Sequence, residues 1–365
     1  MSKVLILMAE RTGTGHKSAA NAIERNLVAK GVTVKQLNCF PLMGKVGVNM
    51  ENCYIPLTTK HPAIWKIAHS AQQMFPDIVH NFIYSRLKKT LLNEIKEFQP
   101  DVIISVHCMI TKAVSKLLRK NDLKIPFLIN VIDLVNPPKV WRDKRAQMSF
   151  LPTEPVRQQY LRLGFKPEQL IVSGFPIRED IVIRTEPKKV TENVRILMVN
   201  PSINLKKNLQ FVRELAQIER AEIKFVCGRD ERLYNALNQE KANNPQLNKV
   251  EIFGFVKNMP ELLDWAQILL TKAGPNMLLE GTRSGTAVIV TGHIPGQEAQ
   301  NYQYITANQC GARCENPNKI KALVQSWIDT NTLQTYLVNA LQAGGNDGTQ
   351  IIADYIFDIC QKSVL

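Results

Sequence analysis

Thr271-Lys-Ala-Gly-Pro-Asn276, with Glu280 behind it and Ile294-Pro-Gly-Gln-Glu298 and Asn301 after it, gathers polar and turn-forming residues at the ends of two apolar runs, Ile268-Leu-Leu270 and Ala287-Val-Ile-Val290. In α/β folds the loops at strand ends carry the chemistry. A strand ending at Lys272 that turns through Gly274 and Pro275 into a helix points free backbone N–H groups at an anion, with Lys272 nearby as a compact cation. The chemistry of such a stretch is the holding of a phosphate. A second stretch, Thr12-Gly-Thr-Gly-His16, lies between an apolar run and a helical pattern of residues 17 to 30. Gly13 and Gly15 permit close backbone approach to a ligand, and a helix onset keeps an imidazole such as His16 neutral and able to take a proton. The same loop also reads as a tight turn with His16 as a cap, and its spacing is not the Gly-x-Gly-x-x-Gly of dinucleotide sites. Asp133, at the end of the run Phe127 to Ile132, is placed either as a catalytic carboxylate or as a cap for Asn136-Pro-Pro138. Trp141 packs either an acceptor or the core.

These residues need strands and helices to position them, and the chain supplies a repeating unit of short apolar run, turn and helical pattern. Val4 to Ala9, Val32 to Leu37, Val102 to Val106, Phe127 to Ile132 and Gln169 to Ser173 suit buried parallel strands. After Pro187-Lys-Lys189 the cycle restarts with Arg195 to Val199, Glu222 to Cys227, Lys249 to Phe253, Ile268 to Leu270 and Ala287 to Val290. The pattern predicts an α/β protein of two doubly wound domains, residues 1–185 and 186–365, divided within the charged stretch 178–194. A ligand is then expected at the carboxyl ends of both sheets, in the cleft between the domains.

Composition narrows the partners. Residues 1–185 hold 27 Lys and Arg against 14 Asp and Glu, whereas residues 186–365 hold 19 against 18. A one-sided basic surface attracts nucleic acid or anionic headgroups, and it also serves solubility. No nucleic-acid motif accompanies it, and aromatics are not interleaved with the cations as a single-strand platform requires. No apolar run approaches the roughly 20 residues of a membrane span, and Met1-Ser-Lys-Val-Leu-Ile-Leu7 reads as a core strand rather than a signal peptide, so a cytosolic protein is expected. Segment 39 to 93 mixes aromatics with Lys and Arg, including Ala63-Ile-Trp-Lys-Ile67 and Phe82-Ile-Tyr-Ser-Arg-Leu-Lys-Lys89. It suits either ordinary core helices or an interfacial element touching a membrane. The seven cysteines, an odd count without a Cys-x-x-Cys pair, are expected to be reduced core residues and not a zinc site.

Taken together, the motifs resemble those of the diacylglycerol glycosyltransferases, the family of plant and bacterial monogalactosyldiacylglycerol synthases and processive glucosyltransferases. The blocks that match in order and spacing are Thr12 to His16, Ile132-Asp-Leu134 to Trp141, Leu151-Pro-Thr153, Ser173-Gly-Phe-Pro-Ile-Arg178, Cys227-Gly-Arg229, Gly254-Phe-Val256, Thr271 to Pro275, and Ile294 to Glu298 with Asn301. The resemblance implies a GT-B fold, two Rossmann-like domains facing across a cleft, with the last helix, about residues 349–362, packing back on the first domain. It implies inverting transfer of glucose or galactose from a UDP-sugar to the hydroxyl of diacylglycerol or a related lipid, by a peripheral protein on an anionic membrane surface. No metal or other cofactor is implied. By position, Lys272, Gly274, Pro275, Asn276 and Glu280 would hold the nucleotide and its phosphates, Gln297, Glu298 and Asn301 would face sugar and ribose, and Phe255 and Val256 would border the uracil. Gly13, Gly15 and Trp141 would lie on the acceptor side, with His16 as general base or donor-positioning group and Asp133 its competitor for the base role. Three positions depart from the family pattern. Val199 to Lys207 lacks the Gly-rich loop, Pro138-Lys139 stands where His-Pro is usual, and Asn276 replaces a glycine. These departures leave open a relative that binds nucleotide or lipid and acts through a partner without transferring a sugar.

Overall fold

The computed structural model describes residues 2–362 apart from Gly13, Glu179, Ile183, Gln297 and Asn346. The chain forms two compact units. Unit 1 comprises Met1–Arg178, Pro295–Gln297 and Asn346–Leu365, and unit 2 comprises Glu179–Ile294 and Glu298–Gly345.

In unit 1 the strands are β1 (Lys3–Met8), β2 (Thr33–Asn38), β3 (Val102–Ser105), β4 (Phe127–Asn130), β5 (Met148–Leu151) and β6 (Leu170–Val172). All pair in parallel in the order β2-β1-β3-β4-β5-β6. Residues Val4 to Met8 of β1 and all of β3 and β4 are buried, as strands covered on both faces must be. The helices between them are α1 (Thr14–Ala29), α2 (Lys45–Lys60), α3 (Pro62–Met74), α4 (Pro76–Phe98), α5 (Thr111–Lys120) and α6 (Glu154–Arg162). Pro62 and Pro76 stand at the first positions of α3 and α4, where a missing N–H costs nothing, so the prolines cut segment 39–98 into three helices.

Unit 2 repeats the plan with β7 (Val194–Val199), α7 (Leu205–Ala216), β8 (Ala221–Val226), α8 (Glu231–Asn243), β9 (Val250–Phe253), α9 (Met259–Trp265) and β10 (Ile268–Lys272). It continues with α10 (Pro275–Arg283), β11 (Ala287–Gly292), α11 (Tyr302–Ala307), β12 (Gly311–Arg313), α12 (Ile320–Asp329) and α13 (Thr332–Ala343). Its sheet is again wholly parallel, in the order β12-β11-β10-β7-β8-β9. Ile196, Met198, Phe225, Leu270 and Ile289 form its core with Phe211, Val212 and Leu215 of α7. The final helix, α14 (Gly348–Lys362), belongs to unit 1: Ile352, Ala353, Ile356 and Cys360 enter the core built by Ile6, Ile104, Leu128 and Phe150. Close packing admits no side chain at its first residue, because a Cβ on Gly348 would lie 2.7 Å from the backbone of Phe175.

Both sheets carry one strand more than the sequence pattern predicts, β5 and β12. All seven cysteines are free; five are buried and Cys108 is partly so, but Cys53 on α2 is exposed, contrary to expectation.

Candidate functional site

The order of each sheet reverses at one point, and loops at such points form crevices at the carboxyl ends of the strands. In unit 1 the reversal lies between β1 and β3. The loop after β1 leads into α1, whose first turn carries His16, and the imidazole crosses the reversal: Nδ1 lies 2.7 Å from the carbonyl oxygen of Val106, just beyond β3. A carbonyl only accepts, so Nδ1 carries the proton and Nε2 presents a bare lone pair. Burial drives the pKa of His16 down to about 4, against a smaller upward pull from the Val106 carbonyl. His16 is therefore a neutral, oriented base. Gly15 is half-buried beside it, while Gly13 lies outside the described residues.

Asp133 follows β4, on the other side of β3. Its Oδ2 accepts a hydrogen bond from Trp141 Nε1 at 2.5 Å. Burial raises its pKa to about 6, and the Trp141 N–H opposes that rise. Trp141 is wholly buried, so its indole fixes Asp133 rather than offering a face to solvent. Between the two candidate bases the structure places a residue the sequence pattern does not single out. His107, directly after β3, has its ring centroid 4.4 Å from that of His16. A second unforeseen residue is Glu51 of α2, almost wholly buried. Its Oε1 accepts from the backbone N–H of Glu10 at 2.8 Å and of Arg11 at 2.9 Å, and both carboxylate oxygens accept from Asn38. This carboxylate bolts α2 to the loop that leads to His16.

In unit 2 the order reverses between β7 and β10. Gly274 caps α10 and Pro275 is its first residue, so the N–H groups of the first turn, from Asn276 onward, have no intrahelical carbonyl to meet. Gly274 has ordinary backbone angles, φ −67 and ψ 126, and the nearest atom to a Cβ there would be Glu298 Oε1 at 3.6 Å. What the missing side chain leaves open is the approach to that turn. Lys272 makes no hydrogen bond among the described residues; burial lowers its pKa, while Glu298 and Asp230 pull it upward.

The two sequence blocks are brought together. Asn301, buried, donates from Nδ2 to the carbonyl oxygen of Ala273 at 2.9 Å, and Glu298 Oε2 accepts from the N–H of Ile294 at 2.9 Å. Asn301 thus braces the β10 loop from behind, and the second oxygen of Glu298 faces Gly274. Glu280 is buried on α10, and Gln297 lies outside the described residues. Phe255 is 61% exposed and lies 5.0 Å from the guanidinium of Arg229, with Val256 half-buried beside it. The glycine-free loop after β7 still makes its turn: Asn200 adopts φ 37, Asn204 caps α7 through the N–H of Lys207, and Asn208 Oδ1 accepts from Ser202 N. Asn accepts left-handed angles that other side chains avoid, so the loop needs no glycine. Among the described residues no group of three or more His, Cys, Asp or Glu could hold a metal ion.

Residues 16–177 match the protein-family model for monogalactosyldiacylglycerol (MGDG) synthase, and residues 196–342 match the glycosyltransferase family 28 C-terminal domain. A probable chloroplastic monogalactosyldiacylglycerol synthase of Nicotiana tabacum is 28% identical over 351 residues, 89% of this chain and 64% of the relative. Monogalactosyldiacylglycerol synthase 1 of Arabidopsis thaliana is 27% identical over 99% of this chain and 71% of its own length. The chain therefore spans about two thirds of the length of these relatives. Among solved structures, MurG of Acinetobacter baumannii aligns over 98% of this chain and 100% of its own with TM-score 0.69 and 16% identity. The glycosyltransferase SnogD of Streptomyces nogalater aligns over 99% of both chains with TM-score 0.62 and 12% identity. The fold is that of the GT-B glycosyltransferases.

Proposed function

Because the chain belongs to the monogalactosyldiacylglycerol synthase family, we propose that it transfers a hexose from a UDP-sugar, with inversion and without a metal, to the hydroxyl of diacylglycerol or a related lipid. Galactose is the hexose in the relatives' names, and glucose is the competing donor. The observation that carries the reading is Lys272 beside the open first turn of α10: a half-buried cation that makes no hydrogen bond among the described residues, next to backbone donors with no partner in their own helix. That pairing suits a diphosphate, whose departing charge a helix N-terminus and a cation stabilise. Glu298 and Asn301 then face sugar and ribose, Glu280 helps to hold the nucleotide, and the Phe255 ring borders the base.

His16 takes the proton of the acceptor hydroxyl through Nε2, the role its tautomer fits. Docking falls to α2, α3 and α4. Ile55, Ile64, Ile67, Met74, Phe75 and Ile78 are all more than half exposed there, with Ile67 at 71%. Beside the start of α4, Arg142 and Lys144 line a cavity of about 470 Å³ together with the ion pairs Lys112–Asp77 and Arg145–Asp143. Exposed apolar side chains next to cations suit an anionic bilayer, to which each cation adds about 1 kcal/mol. No helix among the described residues is long and apolar enough to cross a membrane, in keeping with a peripheral mode.

The test is incubation with UDP-galactose or UDP-glucose and vesicles containing diacylglycerol, with chromatography of the lipid. A hexosyl-diacylglycerol of inverted anomeric configuration is expected with EDTA present; absence of product from both donors refutes the proposal.

A further inference from the structure

An acceptor hydroxyl needs more than a base. Its oxygen has one hydrogen to give and two lone pairs, and only one lone pair can aim at the anomeric carbon. Orientation is set by what the other lone pair meets. We propose that His107 is a second catalytic residue of the acceptor site: its Nε2–H donates to the hydroxyl oxygen while His16 Nε2 takes the hydroxyl proton. The inference rests on the glycosyl-transfer reading above.

The local structure defines the tautomer of His107. Its Nδ1 accepts from the backbone N–H of Met109 at 3.3 Å, within the turn Cys108–Ile110 that it caps. With that lone pair occupied, the neutral ring carries its proton on Nε2. His16 holds the opposite tautomer, because its Nδ1–H is committed to Val106. The two rings are tilted by 48° at 4.4 Å, and Phe40 meets His107 edge-on at 5.3 Å from another side. The backbone is equally fixed, since Ser105 Oγ accepts from the N–H of His107 and donates to its carbonyl. Both imidazoles are more than nine-tenths buried, and neither Nε2 makes a hydrogen bond among the described residues. Burial, and then the neighbouring His16, keep His107 uncharged. A bare acceptor nitrogen and a donor N–H thus belong to two neighbouring rings, neither engaged by another described residue.

The step balances. A hydroxyl lone pair forms the bond to the anomeric carbon, and the bond to the diphosphate oxygen breaks with its electrons leaving on the diphosphate. The hydroxyl proton moves to His16 Nε2, whose Nδ1–H stays on Val106, and His107 keeps its own proton throughout.

The tautomers are read by ¹⁵N NMR of histidine-labelled full-length protein, and dioctanoylglycerol serves as the soluble alcohol. The expected result is a proton on Nε2 of His107 and on Nδ1 of His16, with both Nε2 signals moving on titration. A proton on Nδ1 of His107, or no movement of its signal, overturns the inference. In assays, His107→Phe keeps a ring against Phe40 but removes the donor. It is expected to lower kcat/KM for dioctanoylglycerol about 10-fold, the worth of one hydrogen bond, with UDP binding by calorimetry unchanged. His107→Gln, whose amide can donate, recovers part of that loss. Wild-type kinetics in His107→Phe also overturn it. A wild-type protein that makes no glycolipid refutes the transfer reading instead, and the NMR titration then still decides whether His107 meets a hydroxyl.

Discussion

His16 and Asp133 are both oriented and both perturbed by burial, but in opposite directions, and pH separates them. Each acts as a base only when unprotonated, so activity falls with falling pH in either case. The fall centres near pH 4 for His16 and near pH 6 for Asp133. Assigning the base to His16 predicts a rate still near maximal at pH 6, with half of it lost near pH 4; a midpoint near 6 would transfer the role to Asp133. The profile must be read beside the unfolding midpoint at each pH. His16 and His107 are held neutral in the folded protein, so below 6.5 the unfolded chain binds protons that the native state refuses, and stability declines as pH falls from 6.5 toward 4. His16→Ala should reduce turnover by about 10²- to 10⁴-fold and leave UDP binding intact. His16 was legible from Gly-Thr-Gly-His after an apolar run. His107 was not, since Val106-His-Cys108 reads as the tail of a strand and its meaning depends on β1 and β3 being neighbours. The loop after β7 lacks the family's glycines, and Asn200 takes a left-handed angle there.

Elements position these side chains, and some of the positioning runs through residues remote in sequence. Glu51 stands on α2, forty positions from the amide of Arg11 that it accepts. Glu51→Ala removes a charged acceptor worth about 1.5–3 kcal/mol. It is expected to lower the melting temperature and to cut kcat more than tenfold without weakening UDP binding, which the proposal assigns to unit 2. Wild-type turnover in this variant would show that the loop is held by other means. Most strands were readable as short runs dominated by apolar residues, because the parallel strands at the centre of each sheet are buried on both faces. The two that were not had no such signal: β5 is Met-Ser-Phe-Leu, without a β-branched residue, and β12 is Gly-Ala-Arg. Pairing with β4 and β6, and with β11, is what makes them strands.

At the scale of the whole molecule, the proposed vesicle binding rests on the exposed apolar side chains of α2–α4 and the cations beside α4, all in unit 1. Ile67→Asp with Phe75→Asp is expected to weaken co-sedimentation with anionic vesicles at least 10-fold, since burying either side chain contributes about 1.5–3 kcal/mol. Binding of UDP should not change. Added salt should weaken the wild type, and binding indifferent to both the substitutions and salt would dismiss this surface. The placement of α14 bears on synthesis. Unit 1 begins ahead of unit 2, but Ile352, Ala353, Ile356 and Cys360 of its core are made after unit 2. Its hydrophobic face must therefore stay uncovered on the ribosome while residues 179–345 are translated, an interval of about 8 to 33 s at 5–20 residues per second. Unit 2, complete sooner after its own start, can close first. A chain stopped at residue 345 is expected to yield a folded UDP-binding unit joined to an aggregation-prone first half, detectable by limited proteolysis, and a fully protease-resistant product would show that α14 is dispensable. Until α14 is made, unit 1 is an α/β sheet with an uncovered apolar face, the kind of surface a chaperone holds.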